Sequence, residues 1–154
     1  MALSQQKRRE ILFQLLFSFD FTRVEDDDLN EFIMKEFFVS RSSVREMLDE
    51  IKQIAIHLTD LDAKITTYSI AYELHRIPKV ELNILRLAIY EMLHIPSLPP
   101  KVSIAEAIRL TRKYATMESA SFINAVLDAI FQSEIKETVV EGSINELPIP
   151  VLAE

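Results

Sequence analysis

The run Pro78-Lys79-Val80-Glu81-Leu82-Asn83-Ile84-Leu85-Arg86-Leu87-Ala88-Ile89-Tyr90-Glu91-Met92-Leu93 is apolar on nearly every face of a helix. It is too short and too charged to span a bilayer, so it reads as a helix buried inside a soluble core. Pro78 suits a first helical turn, where its missing N–H would have had no partner. Pro96 and Pro99-Pro100 stop the helix. Beyond them Ser103-Ile104-Ala105-Glu106 has the spacing of a capping box, which predicts a helix over 104–114. Phe122, Ile123, Val126, Leu127 and Ile130 keep the spacing of one helical face and predict another over 118–133. Residues 78–131 thus predict a central helix with others wrapped around it.

The totals narrow the class. With 154 residues the chain is expected to be one domain, long enough to bury most of its apolar surface. It has no cysteine, which excludes disulfides, zinc–thiolate sites and thiol nucleophiles. Its single glycine is Gly142, so tight hairpins and glycine-rich phosphate loops have no support. The fold class expected is all-α, a compact bundle of about seven helices around a buried central one. No leader peptide and no long uncharged apolar run is visible, so a soluble, cytoplasmic protein without membrane contact is expected. A net charge of −7 argues against strong general affinity for nucleic acid. The charge is uneven, however. Glu25-Asp26-Asp27-Asp28 and Glu31 concentrate negative charge, while Lys7-Arg8-Arg9 and Lys101, Arg109, Arg112 and Lys113 leave room for a small basic face.

Taken in order, 4–20 is a helix with Ser4 as N-cap and Ile11, Leu12, Leu15, Leu16 and Phe19 as its inward stripe. Phe13, Phe17 and Phe21 form a second aromatic face, read as a wide core face or as an aromatic beside the basic cluster suited to stacking a base. The acidic run 25–28 reads as a solvated loop, and 29–39 as a short helix. Ser43 and Glu46 form a further capping box, with Val44, Met47, Leu48, Ile51, Ile54, Ala55 and Leu58 along one face. Thr59 or Asp60 is expected to cap a fourth helix with Leu61, Ile65, Tyr68 and Tyr72 as its stripe. Residues 1–135 make the expected domain, and 136–154, with Gly142, Pro148 and Pro150, read as a mobile tail.

Catalytic chemistry has no foothold. His57, His75 and His94 are far apart and in no metal-ligand spacing, so no metal or cofactor is expected. No nucleophile turn is present. The carboxylates of 25–31 look solvated, and a solvated carboxylate is a poor catalytic acid. A non-enzyme is expected.

Pro100-Lys101-Val102-Ser103-Ile104-Ala105-Glu106-Ala107-Ile108-Arg109-Leu110 and Phe122-Ile123-Asn124-Ala125-Val126-Leu127-Asp128 resemble two signature blocks of the NusB family. Arg86-Leu87-Ala88-Ile89-Tyr90-Glu91 resembles its central-helix signature, and Lys7-Arg8-Arg9-Glu10 with Gln14 and Phe17 its basic first helix. The resemblance covers about residues 4–132. It implies a transcription antitermination factor that binds the boxA element of nascent ribosomal RNA leaders with NusE, a small-subunit ribosomal protein, and joins an antitermination complex on RNA polymerase. It implies no cofactor and no catalysis.

By the same resemblance, Lys7, Arg8, Arg9 and Lys101 would hold RNA phosphates, and Glu118, Phe122 and Asn124 would lie near the bases. Phe17 and Glu81 would meet the ribosomal-protein partner. The residues themselves also admit plainer roles. Phe122 shares a stripe with Val126 and Ile130, Asn124 can cross-link backbone, Glu81 can be a first-turn acid, and Arg86 suits a buried carboxylate partner. The family's usual glycine at 115 is alanine here, which costs ~1 kcal/mol in left-handed geometry or forces another helix termination. Fewer cations than usual imply weak RNA binding without NusE. The alternative reading is a NusB-like protein-interaction module with weak or lost RNA binding, for which exposed Phe13 or Phe21 would suit a homodimer contact. The same domain also heads certain ribosomal-RNA cytosine methyltransferases, which need a glycine-rich cofactor loop and a catalytic cysteine that this chain lacks.

Overall fold

The computed structural model describes residues 3–20 and 27–136, which form seven α-helices and no strand. These are α1 (Gln5–Phe19), α2 (Asp27–Phe37), α3 (Arg41–Ile56), α4 (Leu58–Tyr68), α5 (Lys79–His94), α6 (Pro100–Tyr114) and α7 (Met117–Ile130). A short 3-10 turn, Leu74–Arg76, precedes α5, and a single π-helical stretch, Phe131–Ile135, continues α7. The expected tail lies almost wholly outside the described residues, as do Phe21 and Glu25-Asp26 of the acidic run, while Asp27 and Asp28, expected in a loop, begin α2.

The central helix is the one the sequence announced. α5 packs against α1, α4, α6 and α7, and Leu82, Ile84, Leu85, Leu87, Ala88, Ile89 and Met92 are all buried. Surrounding helices contribute Ile11, Leu15, Ile54, Leu61, Ile65, Leu110, Ile123 and Leu127 to the same core. Each such aliphatic side chain gains about 1.5–3 kcal/mol from leaving water, which is why a helix apolar all round ends up in the middle.

Polar residues on α5 are buried in pairs. Arg86 donates from Nε and Nη2 to the two oxygens of Asp62, both at 2.8 Å, and approaches Asp20 at 3.3 Å. Asn83 donates to Asp20 at 2.6 Å. Burial lowers the Arg86 pKa, and its hydrogen bonds and ion pairs with Asp62 and Asp20 more than reverse this and hold it above the ordinary value. The expectation of a buried carboxylate partner for Arg86 is met.

Helix starts are where the sequence reading needs correction. Ser4 does cap α1, accepting from the Lys7 N–H at 3.2 Å. The cap of α3 is Ser40, not Ser43, because the helix begins at Arg41. Neither Thr59 nor Asp60 caps α4, which starts at Leu58 directly after His57. Tyr72 therefore falls beyond α4 rather than on its stripe. Pro78 is the residue before α5 rather than part of its first turn. α6 begins at Pro100 rather than 104, since a proline at the first helical position loses no hydrogen bond. Ser103 is thereby inside the helix, and its hydroxyl donates to Glu91 instead of capping. At the other end Ala115 leaves α6 at φ −133 and ψ −146, the alternative termination that alanine at this position requires.

Candidate nucleic-acid interface

The basic residues of α1 and α6 meet carboxylates along one face. Arg9, buried, donates three hydrogen bonds of 2.9–3.2 Å to Glu91 and lies 3.5 Å from Glu106. Arg109 bonds Glu106 and Glu10, each at 2.8 Å, and Lys113 reaches the other oxygen of Glu10 at 3.0 Å. Burial pushes the Glu10 carboxyl up, but the hydrogen bonds and charges of Arg109 and Lys113 outweigh it and hold the group below its ordinary value. Arg8 pairs with Glu50 of α3 at 2.5 Å. Of the three first-helix cations assigned to phosphates, only Lys7 makes no ion pair among the described residues. Arg9 is turned inward and joins α1 to α5 and α6.

The other side of α6 differs. Lys101, Ile104, Ala105, Ile108 and Arg112 of α6 face Asn124 and Asp128 of α7 and Phe131, Gln132 and Lys136 beyond it across a cleft of about 690 Å³. Lys101 and Arg112 are exposed and make no ion pair among the described residues. Lys136 donates to Gln132 at 3.3 Å, and Gln132 to Asp128 at 3.5 Å. Three cations and one carboxylate leave this groove positive in a molecule of net charge −7. Lys101 and Asn124, far apart in sequence, are brought together here. Arg112, Gln132 and Lys136 were missed as site residues. Arg112 was counted in the possible small basic face but given no RNA contact, and Lys136 read as the start of the tail.

Phe122 lies two residues before Asn124, which turns it to a different face of α7. It is half-buried against the core, and its ring meets Tyr72 edge-on at 5.1 Å. Glu118, one turn earlier, is exposed on that same side. Thr116 caps α7 by accepting from the Ser119 N–H at 3.2 Å. The Ser119 hydroxyl donates to Glu81 at 2.5 Å, and the second carboxylate oxygen of Glu81 is buried with no hydrogen bond among the described residues. Next to this pair Met117 is 80% exposed. Phe17 is half-buried and tilts against Phe13 at 6.1 Å. Phe13 itself is buried against Tyr114, which removes it from any surface between copies of the chain.

Among the described residues no three His, Asp or Glu side chains are placed to hold a metal ion, and no helix is long and apolar enough to cross a membrane.

A model of the NusB family matches residues 6–132. The chain is 32% identical to the transcription antitermination protein NusB of Chloroherpeton thalassium, over 88% of this chain and 64% of that protein, so it spans just under two thirds of that relative's length. It is 30% identical to NusB of Acetivibrio thermocellus, over 93% of this chain and 97% of the relative. Among solved structures it is similar to T. maritima NusB, with a TM-score of 0.75 and 30% identity over 92% of this chain and 99% of that one. A structure of the antitermination factors NusB and NusE in complex with dsRNA matches with a TM-score of 0.69 over 84% of this chain and 96% of that one. At 24% identity that likeness is one of fold.

Proposed function

The chain belongs to the NusB family, and from that premise we propose that it is a transcription antitermination factor whose RNA-backbone contact is the groove between α6 and α7. The observation that supports this most is that Lys101, Arg112 and Lys136, none of them matched by an ion pair among the described residues, line one cleft with Asn124. Unneutralised cations displace condensed counterions from a nucleic-acid backbone, and an amide beside them can read a base edge. Lys7 adds a further cation. Phe122 and Tyr72, around the side of α7, offer an aromatic edge on which an unstacked base can rest, with Glu118 beside it.

The RNA is taken to be the single-stranded boxA element of ribosomal leaders, acting in the cytoplasm on the RNA polymerase antitermination complex. The protein partner is taken to be NusE, the ribosomal protein found with NusB and dsRNA in the solved complex. Its contact is assigned to the surface around Glu81, Met117 and Phe17. No catalytic step and no cofactor belongs to this reading.

Fluorescence anisotropy with labelled boxA RNA tests it. The protein alone should bind weakly, addition of NusE should tighten binding, and Lys101→Glu should weaken it in both settings. Nanomolar affinity without NusE would overturn the partner dependence. Absence of salt-dependent binding with NusE present would overturn RNA binding itself. The rival reading, a protein-interaction module without RNA, draws on the internal pairing of Arg8 and Arg9. It expects Lys101→Glu to leave partner binding unchanged and RNA unbound throughout.

A further inference from the structure

Adjacent arginines on α1 are held in different ways. Arg9 makes three hydrogen bonds to Glu91, and the two side chains are 9% and 5% exposed. Arg8 makes one contact, Nη2 to Oε2 of Glu50, and the side chains are 32% and 17% exposed. Both pairs line a cleft of about 450 Å³ that Gln5, Ser97 and Leu98 also border. Two arginines and two carboxylates cancel there, so of Lys7-Arg8-Arg9 only Lys7 carries a charge without an ion pair among the described residues.

We infer that Glu50 is an internal stand-in for an RNA phosphate, which RNA must displace to engage Arg8. The inference rests on the RNA-binding reading above and adds to it a residue that sets affinity. A guanidinium has five N–H donors, and Glu50 takes one of those on Arg8. A partly exposed pair with one contact is screened by water and weakly held. A phosphodiester can offer two oxygens to the same fork. Exchange is therefore feasible at Arg8, whereas at Arg9 it would strand Glu91 in the interior. After exchange, Glu50 faces the incoming phosphate as a like charge. Its presence weakens binding, and its carboxylate favours ligands that bring several phosphates at once over those that bring one.

The test measures affinity and salt dependence for labelled single-stranded boxA RNA with the full chain carrying Glu50→Gln, Glu50→Ala, Arg8→Gln, Arg8→Gln with Glu50→Gln, or Lys101→Glu. Thermal unfolding checks that each is folded. Glutamine keeps the size of Glu50 and removes its charge. Glu50→Gln and Glu50→Ala should each tighten binding about three- to tenfold and steepen the logarithmic salt slope by about 0.7, the value for one more phosphate contact on a single strand. Arg8→Gln should cost little, and adding Glu50→Gln to it should gain nothing. If Lys101→Glu weakens binding while the Glu50 variants leave it unchanged or weaker, Glu50 orients Arg8 or is inert, and this inference falls while the RNA reading stands. If no variant and not the natural sequence binds RNA, the RNA reading falls and takes this inference with it.

Discussion

The two sides of α6 are built from similar residues and reach opposite electrostatic states. Toward α1 it presents Glu106, Arg109 and Lys113, each joined to a partner, with Arg9 and Glu91 closing the network in the interior. Toward α7 it presents Lys101 and Arg112, with no ion pair among the described residues. The difference arises from what stands across the gap. α1 and α5 supply Glu10 and Glu91, while α7 and the residues after it supply Asn124, Gln132, Lys136 and the single carboxylate of Asp128. A cation facing carboxylates at 3 Å holds helices together. One facing amides remains available to an anion from outside.

Removing a single charge on each side should give the largest contrast. Glu91→Gln leaves buried Arg9 with only Glu106, at 3.5 Å, as counter-charge, and losing one partner of a buried pair costs up to about 3–5 kcal/mol. Lys101→Ala on the open side should change stability by less than about 0.5 kcal/mol. Urea unfolding of both variants decides the matter. Equal midpoints would mean that the two sides do not differ in the way described.

Charge reversal separates the sides by function. Arg112→Glu should weaken RNA binding roughly tenfold, equivalent to about 1.4 kcal/mol, with little change in stability. Arg109→Glu, one turn away, places a third carboxylate against Glu10 and Glu106. It should lower the unfolding temperature first and RNA affinity only through that loss. If Arg109→Glu at a temperature where it is folded weakens RNA binding as much as Arg112→Glu, the α1 side is also an RNA surface.

The contrast explains what could be read from the sequence. Burial of α5 was legible because a helix apolar on all sides has one place to go. The pairing of Arg86 was legible because an isolated arginine in such a helix needs a carboxylate. The fate of Lys7-Arg8-Arg9 was not. Which of three consecutive cations meets a carboxylate depends on Glu50, Glu91 and Glu106, which are 42 to 97 residues from their partners and identifiable only once the helices are packed. Local starts failed for a related reason. Ser-x-x-Glu patterns at 43–46 and 103–106 both lie inside helices, because Ser40 and Pro100 had already started them. Scarcity of glycine was a sound guide to an all-helical fold, yet α2 still ends on a left-handed residue. Phe38, 91% exposed, takes φ 54, and the Val39 N–H reaches back to Met34 at 3.2 Å. No sequence rule puts phenylalanine there.

Acid titration gives the smallest effects and sharpens the comparison further. Glu10 is held below its ordinary value of 4.5 by Arg109 and Lys113, against the opposing effect of burial. Its stabilising contribution is complete above that value and is lost as pH falls through the lower folded value, so Glu10→Gln should flatten the acid limb of the stability curve below pH 4.5. No α6–α7 groove variant should do so. A weaker effect at higher pH belongs to the far end of α5. There His94 stacks on His57 at 4.1 Å, with Tyr90 beside both rings and Asp60 of α4 nearby. Burial and the neighbouring His57 lower the His94 pKa, and Asp60 offsets part of this. A histidine depressed in the folded state is protonated more readily when unfolded. Its contribution is therefore full above the ordinary value of 6.5 and declines as pH falls below it, the direction opposite to that of a histidine salt bridge. His94→Gln should remove a shallow loss of stability just below pH 6.5 and leave the Glu10 window unchanged, because no charge of the α1–α6 network acts on His94. If instead stability rose as His94 took its proton, Asp60 would dominate the site and the stacked pair would be a charged one.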